Sequence, residues 1–234
     1  MLSLERVGAA YGQSQVLSGV DLTLGAGEAV ALLGRNGVGK TTLLRTIIGL
    51  HTLNGGRMLL EATELTHLPP HRRARLGIGY VPQGLGIFPH LTVDENLSMG
   101  TSALAGRAAR SQGVLDRVLT LFPALGRLRS RKGGVLSGGE QQQLAIGRAL
   151  VGEPRVLLLD EPTEGIQPSV VNEIEGALTA IRRDLGVALL LVEQHLAFAW
   201  SMADRYYVMQ RGTVVRTGRT DVDQPEEVAP LLSV

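Results

Sequence analysis

The stretch Gly34-Arg35-Asn36-Gly37-Val38-Gly39-Lys40-Thr41-Thr42 carries G-x-x-x-x-G-K-[ST] without a gap. These residue types suit the binding of a phosphate chain. Glycines let backbone N–H groups close around phosphate oxygens, and a helix that starts here turns the positive end of its dipole toward the anion. Lys40 adds a point charge at the β- and γ-phosphates of a nucleotide, and the Thr41 hydroxyl is a ligand for Mg²⁺. A plain glycine-rich turn between strand and helix has the same short pattern, so the flanks matter. The apolar run Ala29 to Leu33 precedes the loop and a helix-periodic run follows it, which is the setting the motif requires.

Two other groups are placed for chemistry. Arg155-Val156-Leu157-Leu158-Leu159-Asp160-Glu161 is an apolar run ending in two carboxylates, the pattern of a parallel strand buried on both faces. Functional residues in such sheets sit at the carboxyl ends of strands, where Asp160 and Glu161 fall. Ser137-Gly138-Gly139-Glu140 has the S-x-x-E spacing of a capping box and predicts the start of a helix. Its two glycines also leave backbone N–H groups free to meet an anion. Tyr11 lies at a turn between two strand patterns and is open to two readings, a half-buried aromatic or a ring that stacks on a purine with Val16 beneath it.

The elements that must position these residues follow from apolar spacing. Leu2 and Leu4, then Val20, Leu22 and Leu24, alternate as in half-buried antiparallel strands of a small sheet. Leu43, Leu44, Ile47 and Ile48 put a stripe on a helix that Gly49 stops, and Met58 to Leu60 reads as a strand. Arg72, Arg73 and Arg75 read as a solvated helix face. Gly77 to Pro82 reads as a short buried strand ended by proline, which cannot continue a central ladder. From about 88 to 150 the pattern turns helical, at Val93 to Met99, Val114 to Phe122 and Leu144 to Leu150. Pro168 opens a helix with the stripe Val170, Val171, Ile174, Leu178 and Ile181, stopped by Gly186. Val187 to Val192 is a further buried strand, and Leu196, Ala199, Trp200 and Ala203 line a helix with Trp200 in the core. Tyr206 to Met209 and Val214-Val215 flank a turn at Arg211-Gly212, and the tail after Gly218 is too short for a regulatory domain.

Composition narrows the class. A chain of 234 residues buries a full core as one domain with room for an inserted subdomain. Its net charge of +1 argues against a nucleic-acid binder. With no cysteine and no signal-peptide pattern, the expected compartment is the cytoplasm. No apolar run approaches the ~20 residues of a spanning helix, so any membrane role depends on a partner.

Taken together, the motifs resemble the ATP-binding subunits of ATP-binding-cassette transporters over nearly the whole chain. The specific element is Leu136-Ser137-Gly138-Gly139-Glu140-Gln141, the family signature, lying between the phosphate loop and the Asp160-Glu161 strand. The resemblance implies an α/β P-loop NTPase fold: a RecA-like core with a mostly parallel sheet, an antiparallel β subdomain and an inserted α-helical subdomain, all within residues 1–234. It implies ATP and Mg²⁺ as ligands. Tyr11 becomes the aromatic that stacks on adenine, Gln83 the loop glutamine near Mg²⁺ and the membrane partner, Asp160 the metal holder and Glu161 the activator of water. Ser137, Gly138, Gly139 and Glu140 face the γ-phosphate held by the phosphate loop of another subunit. The chain departs from the family twice. Gln167, in Glu164-Gly165-Ile166-Gln167, replaces the usual aspartate, and the position of the switch histidine falls on Gln194, with His195 one residue late as the alternative.

The wording of the motifs is similar to the second ATPase subunit of branched-chain amino-acid and amide importers. Within that group Leu33 to Lys40 and Asp160 to Ser169 lean toward urea uptake, as does Gln83, with a branched-chain amino-acid importer as the alternative. Such importers pair two different ATPase subunits on two permease subunits, served by a solute-binding protein. That places the chain at the cytoplasmic face of the membrane, with residues around Gln83 to Asn96 forming the groove for a permease helix. A soluble cassette ATPase is a third reading, but its coiled-coil insertion or second cassette is missing. The carboxylate of Glu161 speaks against a regulator that barely hydrolyses ATP.

Overall fold

The computed structural model describes residues 1–104 and 111–232. The chain opens on a hairpin whose strands β1 (Leu2–Tyr11) and β2 (Ser14–Leu24) set Leu2 opposite Leu24 and Leu4 opposite Leu22. β4 (Gly55–Leu60) lies on the other side of β1 and pairs Met58 with Leu4, and β5 (Thr63–Glu64) closes the sheet in the order β2-β1-β4-β5. Side chains on a strand alternate between faces, so this register gathers one apolar face and leaves the other to water.

The central sheet runs in the order β10-β9-β3-β8-β7-β6. Its strands are β3 (Ala29–Leu33), β6 (Ile78–Val81), β7 (Val156–Asp160), β8 (Ala188–Glu193), β9 (Arg205–Gln210) and β10 (Thr213–Arg219). All are parallel except β10, which returns antiparallel to β9. Every residue of β3, β7 and β8 is buried, because layers cover both faces. β6 proves to be an edge strand, where the proline that follows it leaves no ladder partner unpaired.

Alternation along β7 and β8 divides the core. Leu158, Leu190 and Val192 pack with Leu2, Leu4, Leu22 and Met58 of the antiparallel sheet and with Leu43, Leu44 and Ile47 of α1 (Lys40–Ile47). Leu157, Leu159, Leu189 and Leu191 point the other way, onto Leu144 and Ile146 of α6 (Gly138–Val151) and Ile174, Leu178 and Ile181 of α7 (Pro168–Leu185). Burying each such side chain fully is worth about 1.5–3 kcal/mol. Between β6 and β7 lie α3 (Val93–Gly100), α4 (Ser111–Leu121), α5 (Pro123–Arg127) and α6. Residues 105–110 of the expected helical subdomain fall outside the described residues.

Several expectations need correction. Arg73 of α2 (Pro70–Arg75) is not on a solvated face: it is 3% exposed. Its guanidinium donates to Thr46 O (2.7 Å), Ile47 O (2.9 Å) and Leu68 O (2.7 Å). The first two are carbonyls of the last turn of α1, where Thr46 O also takes the Gly49 N–H (3.1 Å) and Ile47 O depends on Arg73. Arg72 and Arg75 are exposed as expected. Trp200 of α8 (Leu196–Met202) is half-buried, its ring 5.0 Å from that of Tyr206. The tail holds α9 (Pro225–Leu232), whose Val228 joins Ala31, Leu33 and Tyr206 in a third apolar cluster.

Candidate functional site

The phosphate loop bridges β3 and α1. Gly37 (φ 81°) and Gly39 (φ 110°) take left-handed backbone that side chains rarely adopt, and a Cβ on Gly39 would stand 2.9 Å from Leu17 Cδ2 and 3.2 Å from Val16 O. β2 thus presses Val16 against the loop, while Gly212 of the β9–β10 turn donates its N–H to Val38 O (2.9 Å). Lys40 is buried and donates from Nζ to Gly34 O (2.6 Å) and Arg35 O (2.9 Å). Its third neighbour is Glu161, with Nζ 3.6 Å from Oε1. Burial holds the Lys40 ammonium below its ordinary range, and the charges of Glu161 and Asp160 oppose that fall.

The two carboxylates sit at the carboxyl end of β7 and face different partners. Asp160 Oδ1 accepts from the Thr41 hydroxyl (3.3 Å) and Oδ2 from the Tyr80 hydroxyl (3.3 Å). Burial pushes the Asp160 carboxyl up, against the pull of those two hydrogen bonds. Burial likewise raises the Tyr80 phenol, with Asp160 adding to the effect. Glu161 holds φ 51°, an uncommon conformation for a residue with a side chain. Its N–H donates to Val192 O (2.9 Å), so the turn after β7 is pinned to the end of β8. Its carboxylate receives Gln194 Nε2 on Oε1 (2.7 Å) and Gln83 Nε2 on Oε2 (3.4 Å). Gln83 makes its shorter bond to Glu164 Oε2 (2.9 Å), so its amide reaches the carboxylates after β7.

Of the two candidates after β8, Gln194 occupies the site and His195 does not. Gln194 Nε2 also donates to Asn36 Oδ1 (2.7 Å), joining the phosphate loop to Glu161 through one amide. The His195 side chain is exposed at the head of α8, and only its backbone N–H enters the network, donating to Glu193 Oε2 (3.3 Å). A strand continued to Glu193 aims residue 194 at the neighbouring strand end and turns residue 195 into the helix.

A cavity of about 960 Å³ lies against Gly34, Arg35, Asn36, Gly37 and Val38 and is closed by Gln194, Gln210, Arg211 and the end of α9. Tyr11, 48% exposed, stacks its ring on His51 at 4.2 Å. Ser137, Gly138, Gly139 and Glu140 form the capping box expected at the start of α6. Ser137 N–H and Oγ–H both donate to Glu140 Oε2 (2.8 Å each), and Glu140 N–H returns to Ser137 Oγ. None of the four lines the cavity at the chain's own phosphate loop.

Tyr80, Thr163 and Glu193 belong to the site and were missed in the sequence. Glu193 ends an apolar run just as Asp160 does, and that parallel was the available signal. Tyr80 has no such mark, since one aromatic in a four-residue strand reads as core.

Residues 17–164 match the family described as "ABC transporter". The branched-chain amino acid transport ATP-binding protein BraG of Pseudomonas aeruginosa is 42% identical over 215 residues, covering 92% of this chain and 91% of that protein. A probable branched-chain amino acid transport ATP-binding protein, LivF of Archaeoglobus fulgidus, is 38% identical and covers 93% and 92%. Among solved structures, the ADP conformation of an ABC-transporter ATP-binding cassette superposes with a TM-score of 0.83 at 28% identity, covering 100% of this chain and 94% of that one. A dimeric bacterial ABC transporter cassette gives a TM-score of 0.82 at 26% identity over 94% of this chain and 99% of that one.

Proposed function

The chain belongs to the ABC transporter family as an ATP-binding cassette with ATPase activity, and on that premise we propose that it powers the import of branched-chain amino acids. The cargo follows the relatives: both named branched-chain transport proteins align over more than nine-tenths of this chain. The lean toward urea drawn from motif wording has no support among them, and the branched-chain reading takes its place.

The observation that carries the hydrolytic reading is the convergence of Lys40, Asp160, Glu161 and Gln194 on one side of the phosphate loop, with Ser137 outside it. Backbone N–H groups of residues 37–42 and the Lys40 ammonium receive the triphosphate, and Tyr11 with Val16 offers a surface for adenine. Glu161 orients or deprotonates the attacking water, and Gln194 steadies both that carboxylate and the γ-phosphate. An amide holds geometry but carries no proton at neutral pH. Magnesium fits the oxygen donors: the Thr41 hydroxyl and Asp160 carboxylate are adjacent, and among the described residues no group of three His, Cys, Asp or Glu could hold a cation alone. That suits an ion that takes few ligands from protein and the rest from phosphate and water. When bound, it neutralises charge on the phosphate oxygens.

A second cassette supplies the serine and glycine N–H groups of its own signature helix to this phosphate loop, this chain's Ser137 does the same for the partner's nucleotide, and the partner is a different ATPase subunit of the same importer. Among the described residues no helix is long and apolar enough to cross a membrane. In this reading attachment to the cytoplasmic face runs through two permease subunits, with a solute-binding protein delivering cargo. Phosphate release measured against protein concentration and added partner subunit tests the shared site: specific activity rises with either. Activity flat with dilution and indifferent to the partner refutes it. Uptake of labelled leucine and of labelled urea in cells lacking the chain tests the cargo, with leucine uptake lost and urea uptake kept.

A further inference from the structure

Glu193 is the last residue of β8, is 2% exposed and stands outside the mechanism described above. Water cannot solvate a carboxylate buried that deeply, so it must be met by donors. Four meet it. Oε1 accepts from the Thr163 hydroxyl (2.8 Å) and the Thr163 N–H (3.3 Å). Oε2 accepts from the backbone N–H groups of Gln194 (3.1 Å) and His195 (3.3 Å). One oxygen holds the loop after β7, and the other holds the loop after β8.

We propose that Glu193 is a positioning residue for hydrolysis, bracing the two strand-end loops so that the Gln194 amide stays aimed at Glu161 and Asn36. The Gln194 side chain hangs from the backbone segment that Glu193 grips, and its 2.7 Å bonds to Glu161 Oε1 and Asn36 Oδ1 leave little play. Thr163 begins the stretch leading to Gln167, so the brace also ties that surface loop to the catalytic carboxylate. The inference rests on ATP hydrolysis at this site.

A neutral amide at 193 tests it. Glu193→Gln keeps the shape, but one acceptor oxygen becomes a donor, so the side chain cannot serve both loops. Loss of a charge-assisted bond of this kind lowers kcat about tenfold to a hundredfold, with the dissociation constant for ATP within about twofold of wild type. Thr163→Val lowers kcat in the same sense without altering the charge, and Thr163→Ser restores it. The decisive readout is the double variant: added to Gln194→Ala, Glu193→Gln costs nothing further, because both act through one amide. Losses that multiply in the double variant, or a Glu193→Gln protein with wild-type kcat and only a lower melting point, overturn the proposal. If Glu193→Gln fails to fold, a Thr163→Val protein with wild-type kcat overturns it instead. A wild-type chain that releases no phosphate with its partner refutes the hydrolytic reading itself, which is a different result.

Discussion

Replacing Glu161 by glutamine separates binding from chemistry. The Oε1 atom lies 3.6 Å from Lys40 Nζ with both side chains almost fully buried. At an effective dielectric constant of about 20, two unit charges at that separation attract by about 5 kcal/mol before the cost of desolvating them is counted. Glutamine removes that attraction but does not orphan Lys40, which keeps its bonds to Gly34 O and Arg35 O. It also removes a negative charge from beside the triphosphate. ATP affinity is therefore kept or increased. Turnover falls, because the amide cannot accept a proton: general-base assistance is worth about 10²–10⁴ in rate, or roughly 3–5 kcal/mol of barrier. The assay pairs equilibrium binding of ATP with single-turnover phosphate release, in the presence of the partner subunit. Unchanged turnover removes Glu161 from the catalytic role. Equal losses in affinity and rate show that the Lys40–Glu161 pair serves binding alone.

Lys40→Ala weakens ATP binding itself by about tenfold or more, since a bond to a charged group worth ~1.5–3 kcal/mol is lost in ground and transition states alike; titration with a nucleotide analogue reads this directly. Gln194→Ala lowers kcat while His195→Ala stays near wild type, which steady-state phosphate release with the partner subunit reads directly. Burial raises the Asp160 carboxyl above its ordinary 3.8 and the Glu193 carboxyl above 4.5, so the folded chain holds more protons than the unfolded chain between those ordinary values and the raised ones. Stability from these groups is then complete below the ordinary values and is lost as pH rises through the raised ones. Asp160→Asn removes part of that loss, so denaturant midpoints of the nucleotide-free variant fall less with pH than those of the wild type. Arg73→Leu removes the donor on Ile47 O and Leu68 O, while Thr46 O keeps the Gly49 N–H, and destabilises the chain by about 3 kcal/mol in urea unfolding, with nucleotide contacts untouched.

Patterns confined to one element were legible in the sequence. β3, β7 and β8 announce themselves as apolar runs because each is covered on both faces, and the capping box at Ser137 is complete within four residues. Residues whose role depends on a distant element were not legible. Arg73 is charged and helical, and only the end of α1, far off in the chain, makes it a buried cap. Tyr80 acquires its meaning from Asp160, eighty residues later. The choice between Gln194 and His195 turned on where β8 ends, and a one-residue shift there swaps which side chain meets Glu161. α9 carries a stripe in Val228, Leu231 and Leu232, but its partners Ala31, Leu33 and Tyr206 lie on distant strands, so a short segment near the end of the sequence shows no reason of its own to pack.

α6 joins two separate places in the fold. Ser137 caps its amino end, while near its other end Arg148 donates to Gly86 O (2.7 Å) and Leu85 O (3.4 Å) and lies over the ring of Phe88. Fourteen residues of helix span about 21 Å, and a rod of that length pivoting by about 5° sweeps its tip through roughly 2 Å. That travel separates a hydroxyl seated on an oxygen from one out of reach. A tilt of the Phe88 corner that α6 followed as a rigid rod would move the serine at the far end by that much, as an oar's blade answers its handle.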